Sequence, residues 1–275
     1  LNLVHRVGHT PAIVLERFEH DRQTPHRDPE RERAAGHAIN FVCSDSFRVR
    51  TYGPWRVVTA GCLFVTTPGL EFSCAHDEEY PQDRCLSVRY SESAIESLRS
   101  AGAGAAVDMR TGRTAVREAT NRHAYLRHGL VTAPPGDDAR LEALAGALYW
   151  TLGRASRRRP LYRAHRLAWY AARIDRAKEL MRAEFGEPLA LSRIAGEVGM
   201  SLYPFARLFA ELEGETPHRF LIGVRLEEAA RQLRAGGRVT DVCYAVGFGS
   251  LSHFITTFRR RYGLPPAAFR RSPPR

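Results

Sequence analysis

Leu191 to Phe209, LSRIAGEVGMSLYPFARLF, and Val239 to Phe258, VTDVCYAVGFGSLSHFITTF, are two copies of one pattern. Ile194 matches Val242, Ala195 matches Cys243, Val198 matches Val246, Gly199 matches Gly247 and Met200 matches Phe248, all at an offset of 48. One extra residue in the second turn raises the offset to 49, where Phe205 matches Phe254 and Phe209 matches Phe258. Each position has a physical job. Ala195 and Cys243 are small, as a close crossing of two helices requires. Gly199 and Gly247 sit at the bend, where a positive φ is cheap only for glycine. Ile194, Val198 and Met200, like Val242, Val246 and Phe248, cover a shared core. Ser201 and Ser250 stand where each second helix would be capped. Two short helices joined by a small-residue bend describe a helix-turn-helix, which is either ordinary packing or a grip on nucleic acid. Two copies favour the grip.

The segments around the copies are helical too. A long helix is expected from about His165 to Phe185, closed by Gly186 and Pro188. Between the copies, Gly214 and Pro217 punctuate the chain, and Phe220, Val224, Ala229 and Leu233 supply spaced apolar positions for a joining helix that ends at Gly236 and Gly237. Phe254 and Phe258, four residues apart, fall on one helical face, and they read as core together with Phe205 and Leu208 of the first copy.

Charge agrees with a polyanionic partner without naming one. The chain of 275 residues carries a formal net charge of +11, and Lys178 is the sole lysine among its 41 basic residues. Arginine forks match phosphate and guanine well, although coding bias alone accounts for such a preference. The basic excess is spread over both halves, so motifs rather than total charge must locate a binding face. Hydrophobic content of 44% describes a globular chain. No apolar run approaches bilayer length, and the first ten residues lack the pattern of a secretory signal. Five cysteines, an odd number with no CxxC, argue against a disulfide framework and for a reducing cytoplasm.

Residues Ile174 to Arg270 closely resemble the DNA-binding domain of AraC/XylS-type transcription regulators. The first copy carries the likeness in Ala195, Gly199, Met200, Ser201, Arg207, Leu208 and Phe209, followed by Gly214, Pro217, Arg225, Leu226 and Ala229. The second carries it in Gly247, Phe248, Ser250, His253, Phe254, Phe258, Arg259, Tyr262, Gly263, Pro266 and Arg270. The resemblance implies two helix-turn-helix units in successive major-groove segments of double-stranded DNA, about 34 Å apart. By the same resemblance Tyr203 and Arg207 read bases in the first unit, and Ser252 and Thr256 hold the equivalent places in the second. Arg207 is the best single candidate, able to fork onto guanine. Thr256 stands where the family often has a longer polar side chain, so the second unit is expected to anchor phosphates more than it reads bases. Ser201, Ser250, His253, Arg259 and Arg260 are the expected phosphate contacts, with Arg261 completing the run. Pro204 is a second departure, tolerable within the first helical turn.

The first ninety residues read as short strands: HAINFVC, FRVRTY, WRVVTAGCLFVTT and RCLSVRY, with turn residues between them. His20 to Ala35 is polar and reads as a loop. SESAIESLRSAG, closing at Gly102, reads as a helix, AGAGAA as a flexible connection rather than a phosphate loop, and SRRRP as a solvated linker. PPGDDARLEALAGALYWTLGRA reads as a helix with Leu141, Leu144, Leu148 and Leu152 on one face, a core stripe or a dimer seam. The expected fold is α+β in two domains: a β-rich, cupin-like barrel over residues 1–90, helices over 91–168 for dimerisation or linking, and an all-α double helix-turn-helix domain over 169–275. The cupin-like and dimer readings follow from the resemblance, as does an activator role.

Cys74, His76 and Cys85, with His20 or His26, would offer zinc ligands if their segments paired as a hairpin. Their spacing fits no standard zinc motif. An exposed cysteine acting as a redox sensor is the related alternative, with Arg84 as the cationic neighbour visible in sequence. A metal-dependent cupin enzyme fused to the DNA module is the rival from another class. It would need a clustered HxH, and none occurs; there is also no GxSxG and no phosphate loop. The expectation is a cytoplasmic, dimeric, non-enzymatic regulator of transcription whose first domain takes a small-molecule effector or partner protein and which contacts RNA polymerase.

Overall fold

The computed structural model describes residues 2–20, 30–76, 83–101, 115–152 and 160–272. The chain divides into two compact units, Leu1–Arg163 and Ala164–Arg275. The first is strands and helices; the second is all helix. No helix among the described residues is long and apolar enough to cross a membrane.

In the first unit, β1 (Asn2–His9), β2 (Ile13–His20), β4 (His37–Ser44), β7 (Cys62–Thr66), β9 (Arg84–Tyr90) and β10 (Val116–Glu118) form a sheet in the order β1-β2-β9-β4-β7-β10. The second sheet runs β3 (Glu30–Arg33), β8 (Glu71–Ala75), β5 (Ser46–Arg50), β6 (Arg56–Thr59). All pairings within both sheets are antiparallel. The period-two alternation gives the larger sheet two different faces. Leu15, Ile39, Leu63 and Val88 share one face and are wholly buried. Helices cover this face: the Tyr90 hydroxyl donates to the Ala145 carbonyl of α3 (Asp138–Thr151) at 2.8 Å, and the Tyr90 and Tyr149 rings meet at 6.2 Å. The opposite face meets the smaller sheet, where Phe64 and Phe72 touch edge to face at 5.1 Å within a core that includes Val42, Phe47 and Val49.

Three expectations change here. WRVVTAGCLFVTT is two strands, β6 and β7, broken at Gly61 with φ 101°. The polar loop contains β3, held because Glu30 to Arg33 pair with Cys74 to Glu71. Strand pairing outweighs the charged composition there, as edge strands allow. A helix not singled out in the sequence, α2 (Asn121–Thr132), begins at a capping box in which the Thr120 hydroxyl accepts from the His123 amide and Nδ1 of His123 accepts from the Thr120 amide. The expected leucine stripe is core: Leu141, Leu148 and Leu152 are buried, and Leu144 lies against Gly129. The helix after strand β9 is α1 (Glu92–Ala101); its expected stop at Gly102, AGAGAA beyond Ala101 and the arginines of SRRRP lie outside the described residues.

In the second unit, α4 (Ala164–Ala183) precedes α5 (Leu191–Glu197), α6 (Leu202–Glu213), α7 (Pro217–Arg234), α8 (Val239–Ala245), α9 (Leu251–Tyr262) and α10 (Pro266–Arg271). The joining helix α7 starts at Thr216, whose hydroxyl accepts from the Arg219 amide, with Pro217 in the first turn. Its buried seam is Leu221, Leu226, Ala229 and Leu233, with Phe220 and Val224 only half-buried. Leu226, Ala229 and Leu233 share a core with Val242, Cys243, Val246, Phe248, Phe254 and Phe258.

Candidate nucleic-acid interface

The two copies fold alike down to single hydrogen bonds. At the first bend Gly199 has φ 67°, and the Met200 amide donates to Ala195 at 2.9 Å. At the second, Gly247 has φ 84°, and the Phe248 amide donates to Cys243 at 3.1 Å. This left-handed glycine with a six-residue closing bond is how helices commonly stop and turn. The second helices also end alike, at Gly214 (φ 74°) and Gly263 (φ 77°). Ala195 and Cys243 are both buried at the crossing.

Their starts differ. Ser201 occupies the cap position of α6, yet its side chain makes no capping bond. Ser250 does cap α9, its hydroxyl accepting from the His253 amide at 3.4 Å.

Each second helix buries one face and shows the other. Phe205, Phe209 and Leu212 are wholly buried on α6, as are Phe254 and Phe258 on α9. The ring spacing repeats, 5.7 Å for Phe205–Phe209 and 5.6 Å for Phe254–Phe258. Tyr203 is 84% exposed, and Arg207, Ser252 and Thr256 are exposed. A helix-turn-helix needs this split, because the face that meets a groove cannot also hold the core.

A helix-turn-helix domain family matches residues 194–272. The HTH-type transcriptional activator RhaS of Citrobacter koseri is 34% identical over 100 residues, 36% of this chain and 36% of that relative. A transcriptional regulator with an AraC-type DNA-binding domain from Chromobacterium violaceum is 30% identical over 39% of this chain and 99% of that chain, with a TM-score of 0.36. Fatty acid-bound ToxT from Vibrio cholerae is 11% identical over 95% of each chain, with a TM-score of 0.39. The matched region of the curated relatives is about a third of their length, 36%. The C-terminal unit is an AraC/XylS-type DNA-binding domain.

Within this AraC/XylS-type domain the two exposed helices are not equivalent in charge. α6 holds Arg207 with Glu211 and Glu213, whereas α9 holds Arg259, Arg260 and Arg261 and no acid. Arg261 is engaged by Glu227 at 3.3 Å, and no ion pair to Arg259 or Arg260 occurs among the described residues. His253 is exposed beside Phe248, ring centroids 5.5 Å apart.

Two residues that the sequence did not single out for a role hold the domain's geometry. Arg225 of α7 donates from Nε to the Phe185 carbonyl at 2.8 Å and from Nη2 to the Glu187 carbonyl at 3.0 Å. It thereby ties the end of α4 to the second bend, since a Cβ on Gly247 would stand 2.9 Å from its guanidinium carbon. Lys178 of α4 meets Glu213 of α6 at 2.7 Å, both largely buried. Arg225 was visible as a residue of the resemblance, but only spatial neighbours reveal its task.

The zinc proposal in the first unit fails on its premise. Cys74 lies in β8 and Cys85 in β9, and these strands belong to different sheets rather than to one hairpin. Nε2 of His76 instead meets Oδ1 of Asp83 at 3.2 Å, both buried. Among the described residues no three His, Cys, Asp or Glu gather as a metal site; His26 and the side chain of His20 lie outside them. Burial, then Asp83 and Cys43, push the Cys85 thiol far above its ordinary range, which suppresses the reactive thiolate. The exposed cysteine is Cys43, and its cationic neighbour is Arg127, with Nη1 3.5 Å from Sγ, not Arg84.

Proposed function

We propose that the protein is a sequence-specific DNA-binding regulator of transcription, an activator like the relatives it matches. The observation that carries this reading is the paired exposure of Tyr203 with Arg207 and of Ser252 with Thr256 on two helices anchored by buried phenylalanines. On this reading Tyr203 and Arg207 read base edges. Ser252 and Thr256 make shorter-range contacts, and Ser201, Ser250, His253, Arg259 and Arg260 hold phosphates. The charge difference between α6 and α9 supports that division: the first unit reads and the second anchors.

The β-rich first unit, as a cupin-like barrel, takes an effector or partner, and residues 91–168 form the contact between two copies. Effector binding then shifts the placement of the DNA modules and their contact with RNA polymerase in the cytoplasm. The protein acts by binding and carries out no catalytic step.

Gel shifts with fragments of the promoters nearest its own gene, at two salt concentrations, test the proposal. Specific retention that weakens steeply with salt is expected, because neutralised phosphates release counterions. Binding that ignores sequence, or none at either concentration, overturns it.

A further inference from the structure

A cavity of about 340 Å³ lies between the two sheets of the first unit. That is within the size of small-molecule sites, roughly 300–1,000 Å³. Strand alternation creates it. The helix-covered face of the larger sheet holds Leu15, Ile39, Leu63 and Val88, whereas the face toward the smaller sheet presents Phe18, Asn40, Phe64, Cys85 and Arg89. Phe18, Phe47, Phe64 and Phe72 supply the aromatic part of the wall.

The charged part of the wall is mainly carboxylate. Glu19 and Glu32 line the cavity, and Asp83 is buried in its side with its Oδ1 3.2 Å from Nε2 of His76, whose ring stands 5.9 Å from Phe47. The guanidinium in the wall, Arg89, is met by the buried carboxylate of Glu16 at 3.2 Å. Negative groups therefore gather around an apolar chamber in a chain whose net charge is +11. Aromatic faces attract a cation through their quadrupole, and carboxylates do so by Coulomb attraction that strengthens away from water. Both disfavour an anion.

We propose that this cavity binds a small organic cation with an apolar body, an aromatic or alkyl ammonium. This rests on the reading of the first unit as the effector site and names the effector's class. Phenyl rings fill the aromatic part, and the ammonium lies toward Asp83 and Glu32.

Isothermal titration calorimetry of the full chain tests this with three probes that share a ring: benzyltrimethylammonium, neutral phenylacetamide and anionic phenylacetate. The cation is expected to bind at least about tenfold more tightly than either other probe. Asp83→Asn should remove most of that preference. Glu32→Gln, at an exposed position on β3, should reduce it about threefold, so a misfolded Asp83 variant leaves the test intact. Equal or tighter binding of phenylacetate or phenylacetamide overturns the proposal. So does the absence of cation binding, or a preference untouched by Glu32→Gln and by a folded Asp83→Asn. Promoter retention by the probe-free protein reports on DNA binding separately, so loss of one reading does not carry the other with it.

Discussion

Nε of Arg225 donates to the carbonyl of Phe185 at 2.8 Å, across forty positions of chain. That bond closes the wall behind Gly247, where an added Cβ would stand 2.7 Å from the same carbonyl oxygen. The bend at Gly199 has open space by comparison, its nearest neighbour being an Arg173 guanidinium nitrogen at 4.0 Å. The two glycines share a backbone conformation and differ in what surrounds them. Gly199→Ala should therefore cost only the left-handed penalty, about 1–2 kcal/mol. Gly247→Ala adds a clash with backbone and should cost about 3 kcal/mol or more. Chemical denaturation of the two variants measures the difference; equal losses would show that the Arg225 clamp yields freely.

Arg207→Ala should weaken binding by about 1–3 kcal/mol at one base position and relax specificity there. Arg259→Gln should weaken binding to all sequences alike and lower the salt slope by about one. Binding-site selection and salt titration on both variants separate a base reader from a phosphate anchor.

Lys178 and Glu213 are 15% and 16% exposed on their side chains. Removing one partner leaves the other charge poorly solvated. Lys178→Met should cost about 2–4 kcal/mol of stability, and adding Glu213→Leu should recover much of it. A double-mutant cycle read by thermal unfolding is the measurement; a lone Lys178→Met without effect would make the pair ornamental.

His123 is buried, and burial, then Arg122 and Arg117, lower its pKa from 6.5 to about 4. Its Nδ1 accepts from the Thr120 amide, and Nε2 lies 2.7 Å from the Thr151 hydroxyl, so the neutral ring fits and the cation does not. The folded pKa is the lower one, so the contribution is fully present above pH 6.5. It is lost as pH falls from there through about 4, where the unfolded chain binds the extra proton. The loss is on the order of 3 kcal/mol. Denaturation from pH 7 to 4 should show this slope, and His123→Gln should flatten it.

Thiol chemistry should separate the cysteines. At pH 8, iodoacetamide should label exposed Cys43 much faster than Cys85, whose thiolate is suppressed by burial. Mass mapping of the early products checks the order. Early modification of Cys85 would mean that the cavity wall opens readily.

Much of the second unit was legible because its signals are local. Phe205 and Phe209, four positions apart, had to share a helix face, and Gly199 and Gly247 had to mark bends. The exposure of Tyr203 and Thr256 followed from the same period. The cap at Ser201 was legible as a position but not as a bond, since a hydroxyl rotor answers to its surroundings. In the first unit the strand around Glu30 was hidden by its charges, and α2 by a composition with no clean apolar stripe.

The sequence by itself determined the duplicated bend, the helix faces it presents and the alternation of strands such as Cys85 to Tyr90, because each depends on residues a few positions apart. Tertiary structure alone decided that Cys74 and Cys85 stand on different sheets, that carboxylates gather around a phenylalanine-lined chamber, and that Arg225 braces the second bend. Those arrangements join distant segments. A strand's alternation tells which side chains share a face, but not which strand, or which chamber, that face will meet.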